Sequence, residues 1–181
     1  MNMAHFEVNS KGEARDTLEV KRLAMLSKLE DLKNNSGRVA NPDREEYWES
    51  IKGGFESWNE DELNNLVSDR DLRQRVLKLE EGQKILSLAR DVYRNLLKVR
   101  LQQLKDEIQD IEEKMREKRK KIREILTTPT SEFADSDVES IRKAKERVIK
   151  LNSTELDETI WKGLVQDIKE VKKQMEKLNE S

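Results

Sequence analysis

The residues that could do chemistry in this chain are concentrated in one basic run at residues 114–123. Cations at this density can contact the phosphate backbone of a nucleic acid, serve as a nuclear localisation signal, or bind an anionic protein. Cations are also favoured near a helix C-terminus, where they interact with the helix dipole. The seven basic side chains are Lys114, Arg116, Lys118, Arg119, Lys120, Lys121 and Arg123.

The spacing of these cations distributes them around the whole helix, and no aromatic residues are interleaved for base stacking. An ordinary solvated helix surface is therefore the first interpretation of the run. An anionic partner protein is the first functional alternative, and nucleic acid is the second.

Other chemistry has little support in the sequence. There is no cysteine, and the single histidine is His5, so neither a thiolate zinc site nor a nucleophile–histidine pair can form. Neighbouring acidic residues such as Glu112 and Glu113 point about 100° apart on a helix and do not converge as catalytic or metal-binding carboxylates must. The sequence predicts a protein that is not an enzyme and that has no catalytic residues, cofactor or metal.

Composition indicates the class of fold that must position the basic run. Charged residues make up 41% and hydrophobic residues 34% of the 181 residues, with two prolines, which is typical of long helices and coiled coils. We predict an all-α fold, an elongated helical bundle with a long central helix and an antiparallel coiled-coil section. No apolar run approaches the roughly 20 residues that span a bilayer, so we expect a soluble protein without a membrane partner, in the cytoplasm or nucleus.

Three segments are predicted, at 1–67, 68–126 and 127–181. The central one has capping-box spacing at Ser68 and Asp71 and contains no proline. The pattern predicts one very long helix or two helices in line. Glycine weakens a helix by about 1 kcal/mol, so the sequence is compatible both with a continuous helix and with a break near Gly82.

Apolar residues in the central segment follow a heptad pattern from residue 97 onward, with Lys118 as the one polar member. The last helix has a second pattern of the same kind, and a turn at Pro129 would fold it back antiparallel onto the first. The predicted interaction seam consists of Leu97, Leu101, Leu104, Ile108, Ile111, Met115, Ile122, Trp161, Leu164, Ile168, Val171 and Met175.

Charges beside this seam restrict its partner. In a parallel in-register homodimer, Arg100 would face Lys105 and Glu107 would face Glu112, and such like-charge pairs are unfavourable. The seam is therefore predicted to meet an antiparallel copy, a helix of its own chain, or a different protein.

The N-terminal segment is predicted to contain short helices. A first helix starts after a capping box at Ser10 and Glu13, and a second ends at Gly53 and Gly54. Half of the chain's eight aromatic residues lie here, and they either cap the end of the bundle or form a partner-binding knob, with the cap favoured because aromatics dominate small cores. They are Tyr47, Trp48, Phe55 and Trp58.

Residues 80–104, EEGQKILSLARDVYRNLLKVRLQQL, form an aliphatic-rich, arginine-containing stretch, and TPTSEFADSDVESIRKAKE follows as a loop and an acidic helix start. Together, residues 80–146 resemble the helical domain of GINS replication subunits. The resemblance implies a tetrameric scaffold that joins a replicative helicase to a polymerase, with no catalytic residues.

The sequence thus predicts a non-catalytic scaffold or adaptor that assembles proteins through helical seams, as a homo-oligomer or with a different protein. The alternative is an accessory factor that associates with nucleic acid through the basic run. Neither the partner nor the stoichiometry follows from the sequence.

Overall fold

The computed structural model describes residues 4–36, 44–127 and 138–180. Every one of these ranges is helical or forms a short connection between helices, which confirms the all-α class and the presence of a long helix. The predicted turn at Pro129 lies outside the described residues. The helices of the described ranges are α1 (Ala4–Ser36), α2 (Arg44–Glu56), α3 (Glu60–Ser68), α4 (Arg70–Leu77), α5 (Gly82–Thr127), α6 (Val138–Leu151) and α7 (Glu155–Glu180).

The chain divides into two compact units, Met1–Leu96 and Leu97–Ser181. The boundary lies within α5, so this helix contributes its first part to unit 1 and its second part to unit 2. This division differs from the three segments predicted at 1–67, 68–126 and 127–181, because one long helix supplies a face to each core.

Two predicted helix limits in the N-terminal segment are wrong. Helix α1 begins at Ala4, so Ser10 lies inside it and cannot be its N-cap. Helix α2 continues through Gly53 and Gly54 to Glu56. A Cβ atom on Gly54 would lie 2.1 Å from Cδ2 of Leu32 on α1. Gly54 therefore allows close packing of α1 and α2 instead of ending the helix.

The aromatic residues of this segment form part of the core of unit 1. Trp48, Phe55 and Trp58 are buried and Tyr47 is half-buried. The rings of Phe55 and Trp58 meet edge to face with centroids 5.0 Å apart, and Lys84 Nζ lies 4.0 Å from the centroid of the Trp48 ring. This burial favours the structural role over a partner-binding knob.

The predicted capping box at Ser68 and Asp71 is wrong, because Ser68 is the last residue of α3. The N-cap of α4 is Asp69, whose Oδ1 accepts a hydrogen bond from the Leu72 N–H at 2.8 Å. A carboxylate stabilises a helix N-terminus through both this bond and the helix dipole. Arg22 on α1 donates to Oδ2 of the same carboxylate at 3.2 Å, so the cap also ties α1 to α4.

Asp69 should make the stability of unit 1 depend on pH. Burial alone would raise its pKa, but the hydrogen bonds from Leu72 and Arg22 lower the pKa below its usual 3.8. A lowered pKa stabilises the fold above the unfolded-state value, and this stabilisation is lost as pH falls below it. In urea titrations we expect Asp69→Asn to be less stable than the parent by about 1 kcal/mol at neutral pH, because the neutral amide loses the ion pair with Arg22, with the difference shrinking as pH falls through the folded-state pKa of Asp69. A constant difference across this range would contradict the assignment.

The predicted central helix is interrupted between α4 and α5. The break lies beside Gly82, the position at which the sequence was compatible with either a break or a continuous helix. The backbone of Glu81 has a φ of 60°, in the left-handed region. A Cβ atom on Gly82 would lie 2.0 Å from the carbonyl oxygen of Val76 in the last turn of α4. Glycine is required here because the first turn of α5 contacts the backbone of α4 directly.

Candidate functional site: a basic groove beside the α5–α7 contact

The second part of α5 and helix α7 run antiparallel in unit 2, as three side-chain contacts demonstrate. Lys118 Nζ lies 2.5 Å from Asp157 Oδ2, and Trp161 Nε1 donates to Glu112 Oε1 at 3.0 Å. Arg119 Nη2 donates to Glu158 Oε1, also at 3.0 Å. Residue numbers therefore fall along α5 as they rise along α7. This register places Leu104 opposite Val171, and both side chains are buried.

The predicted seam is the covered face of this helix pair. Within residues 97–127, every seam position is buried or half-buried, and the only other residues that are not exposed are Arg100, Lys118 and Ile125. Of the three partners that remained open for the seam, a helix of the same chain is the one found. Coiled-coil packing in the strict knobs-into-holes sense stays a prediction. The buried seam residues are Leu97, Leu104, Met115, Leu164 and Val171; the half-buried ones are Leu101, Ile108, Ile111, Ile122, Trp161, Ile168 and Met175.

Lys118, the polar member of the seam, has a specific partner. The side chain of Asp157 is only 7% exposed, and the ammonium of Lys118 is its ion-pair partner. The same ammonium lies 3.5 Å from the carbonyl oxygen of Ser153. Sequence reasoning missed Asp157 as a seam residue, although it lies seven residues before Leu164 and so occupies the same heptad position.

A groove of about 760 Å³ runs beside this contact, between α5 and α7. The predicted basic run contributes four of its seven cations to the groove, on one face of α5. The other three cations lie elsewhere on the helix, in keeping with the predicted distribution around its whole circumference. Lys118 instead faces α7, and Lys114 and Lys121 are exposed outside the groove. The cations that line the groove are Arg116, Arg119, Lys120 and Arg123, together with Lys162 of α7.

Lys162 was missed by sequence reasoning because it lies on another helix, 39 residues beyond Arg123. Only the antiparallel register brings it to the groove. A signal for it existed in the sequence, since Lys162 directly follows the seam residue Trp161 and must lie beside the seam on α7.

The groove retains an excess of positive charge. Its two acidic side chains already have partners: Glu112 accepts from the Trp161 indole, and Glu158 accepts from Thr154 and Arg119. These two bonds lower the pKa of the Glu158 carboxyl, Thr154 contributing more than Arg119, so Glu158 stays ionised at neutral pH. Among the described residues, no ion pair engages Arg116 or Arg123.

Within the described ranges, no group of three or more His, Cys, Asp or Glu side chains could hold a metal ion. The side chain of His5 lies outside the described residues. None of the helices described combines the length and apolar character that crossing a bilayer requires.

Comparison with known proteins finds no matching family model, no matching curated protein and no matching solved structure. The resemblance of residues 80–146 to the GINS helical domain therefore rests on the residue pattern alone and stays a prediction.

Proposed function

We propose that this protein is a non-catalytic helical adaptor, which assembles with other proteins through the side of the α5–α7 pair that bears the groove. The observation that carries the proposal is the incomplete cover of the seam in unit 2. Seven seam residues of the described part of unit 2 stay half-buried, and a further helix would remove the remainder of their apolar surface from water.

The half-covered residues are not scattered. At 100° per residue, one set lies on the edge of the seam that continues into the groove, so it forms an open apolar strip. A strip of this kind, flanked by polar residues, is typical of a protein–protein contact. Its members are Leu101 and Ile108 on α5 and Trp161, Ile168 and Met175 on α7.

Apolar side chains are also exposed elsewhere in unit 2. Leu151 at the end of α6 is 81% exposed, and Leu156 in the first turn of α7 is 71% exposed. With Ile160 one turn further along α7, they give this unit more exposed aliphatic surface than its own core needs. A second contact in a larger assembly would cover them.

Association through the open strip is testable by sedimentation velocity of the full chain from about 1 to 100 µM, a range that detects contacts of roughly 7 kcal/mol or stronger. If the occupant is a second copy, the mass should rise with concentration. Ile108→Thr should weaken this association at least about tenfold. Val99→Thr is the matched control, because Val99 lies on the same helix but is 59% exposed and outside the seam.

A strictly monomeric chain over this range would remove the homotypic form of the proposal. Equal effects of Ile108→Thr and Val99→Thr would place the contact elsewhere on the molecule. Circular dichroism of both variants verifies that the helices remain formed.

The rival function, association with nucleic acid, is favoured by one observation, the five cations of the groove. It predicts binding that weakens steeply as salt rises, because each phosphate contact releases counterions. A replication scaffold of the GINS type, which the sequence resemblance implies, is compatible with both the adaptor function and the association with nucleic acid.

A further inference from the structure

We propose that the groove binds an acidic amphipathic α-helix of a partner protein. The inference rests on the proposed function and adds the charge and conformation of the partner. It follows from the spacing of the cations, from the apolar side chains beside them, and from the carboxylates that the groove itself contains.

The spacing of the cations matches a helix. Arg116, Lys120 and Arg123 lie four and three residues apart on one face of α5, and the first and last are separated by about 10.5 Å along the axis. Carboxylates at the same spacing on a helix laid along α5 would face the three cations one for one. Arginine and glutamate side chains then form charge-assisted hydrogen bonds at an interface that excludes water.

The groove also offers apolar surface to the other face of such a helix. This surface comes from Trp161, which is half-buried in the wall of the groove beside the buried Met115. Because the indole N–H already donates to Glu112, the remaining indole surface is free to accept aliphatic side chains. Tryptophan, methionine and arginine are the residue types enriched where partners bind most strongly.

Two features favour a protein helix over nucleic acid. Glu112 and Glu158 lie in the wall of the groove, where they would repel an evenly charged phosphate backbone. A peptide can place neutral or basic residues opposite these two carboxylates. Single-stranded nucleic acid also needs successive aromatic platforms, and Trp161 is the one aromatic residue among the groove's described lining.

The test uses the full chain and a fluorescein-labelled helical peptide with glutamates at three- and four-residue spacing beside a leucine stripe. A peptide with glutamine at each glutamate position is the neutral comparison. Binding is measured by fluorescence anisotropy at about 50 mM salt, where charge pairs are weakly screened. We expect the acidic peptide to bind at least about tenfold more tightly than the neutral one.

A matched pair of charge reversals locates the contact. Arg116→Glu/Arg123→Glu changes two groove cations, and Lys114→Glu/Lys121→Glu changes two cations of the same helix that lie outside the groove. Both variants alter net charge equally. The groove variant should lose at least about tenfold in affinity, whereas the control should lose less than about threefold.

The inference would be overturned by equal losses in the two variants, by tighter binding of a DNA or RNA duplex than of the acidic peptide, or by no binding of the acidic peptide at low salt. Equal binding of the acidic and neutral peptides would also overturn it, but would leave the proposed apolar contact standing. Sedimentation of the Ile108→Thr variant tests that contact separately, so the two proposals can fail independently.

Discussion

Gly82→Ala should be the most damaging small substitution in unit 1, lowering the free energy of unfolding by about 2–4 kcal/mol. An alanine Cβ would lie 2.0 Å from the Val76 carbonyl oxygen and 2.8 Å from its carbonyl carbon. Both atoms belong to the backbone of α4, so no side-chain rotation can relieve the contact. The first turn of α5 would have to move away from α4, and Ile85 and Leu86, which are buried one turn later, would move with it.

Two other glycines provide matched controls for this prediction. Gly53 in α2 and Gly163 in α7 both lie inside helices, and a Cβ at either position would meet nothing within 4 Å. Alanine is the better helix former, so each substitution should raise stability by about 0.5–1 kcal/mol. Urea denaturation followed by far-ultraviolet circular dichroism measures all three variants. A Gly82→Ala protein as stable as the Gly53→Ala protein would refute the close contact of α4 and α5.

Lys118→Met should have the largest effect in unit 2, a loss of about 2–3 kcal/mol of unfolding free energy. The substitution leaves the Asp157 carboxylate, 7% exposed, without its ion-pair partner. The loss should stay below that of a fully buried pair, because the Lys118 side chain is itself 27% exposed. Urea denaturation followed by far-ultraviolet circular dichroism measures the loss.

The double variant Lys118→Met/Asp157→Leu distinguishes the two contributions of this pair. Replacing both partners by apolar residues removes the unpaired charge, so stability should return to within about 1 kcal/mol of the parent. A double variant as unstable as Lys118→Met alone would show that the loss comes from packing and not from the carboxylate.

The same double variant should loosen the register of α5 on α7, because a polar pair at a core position disfavours shifted alignments. The chain lacks cysteine, so register can be read from disulfide trapping between two introduced cysteines. Leu104→Cys should oxidise with Val171→Cys in the parent, but not with Leu164→Cys, which lies one heptad away. In the double variant we expect both pairs to form. Trapping of the first pair alone would contradict a register-setting role.

The helices and the covered face of α5 could be predicted from the sequence because both depend on local spacing. Residues at three- and four-residue intervals lie on one side of a helix wherever that helix packs, and the burial of Leu97, Leu104 and Met115 follows this pattern. The break at Gly82 was left open, since a glycine inside a helical pattern is compatible with a weak turn or with a new helix. The helix limits at Ser10, Gly54 and Ser68 were predicted wrongly. A capping or stop pattern covers only a few residues, whereas contacts with residues outside that pattern also decide where a helix begins or ends.

The amino-acid sequence by itself determined the helical class, the apolar stripe and the basic run, because these are properties of residues close together in the chain. The tertiary structure decided which of the three partners left open covers the stripe, namely α7, and it alone showed that Asp157 pairs with Lys118 and that Lys162 joins the cations of the groove. The paired residues are 39 positions apart, and their contact depends on the antiparallel register of two whole helices. Periodicity indicates which face of a helix will be covered, but the choice of the covering helix depends on packing along its full length.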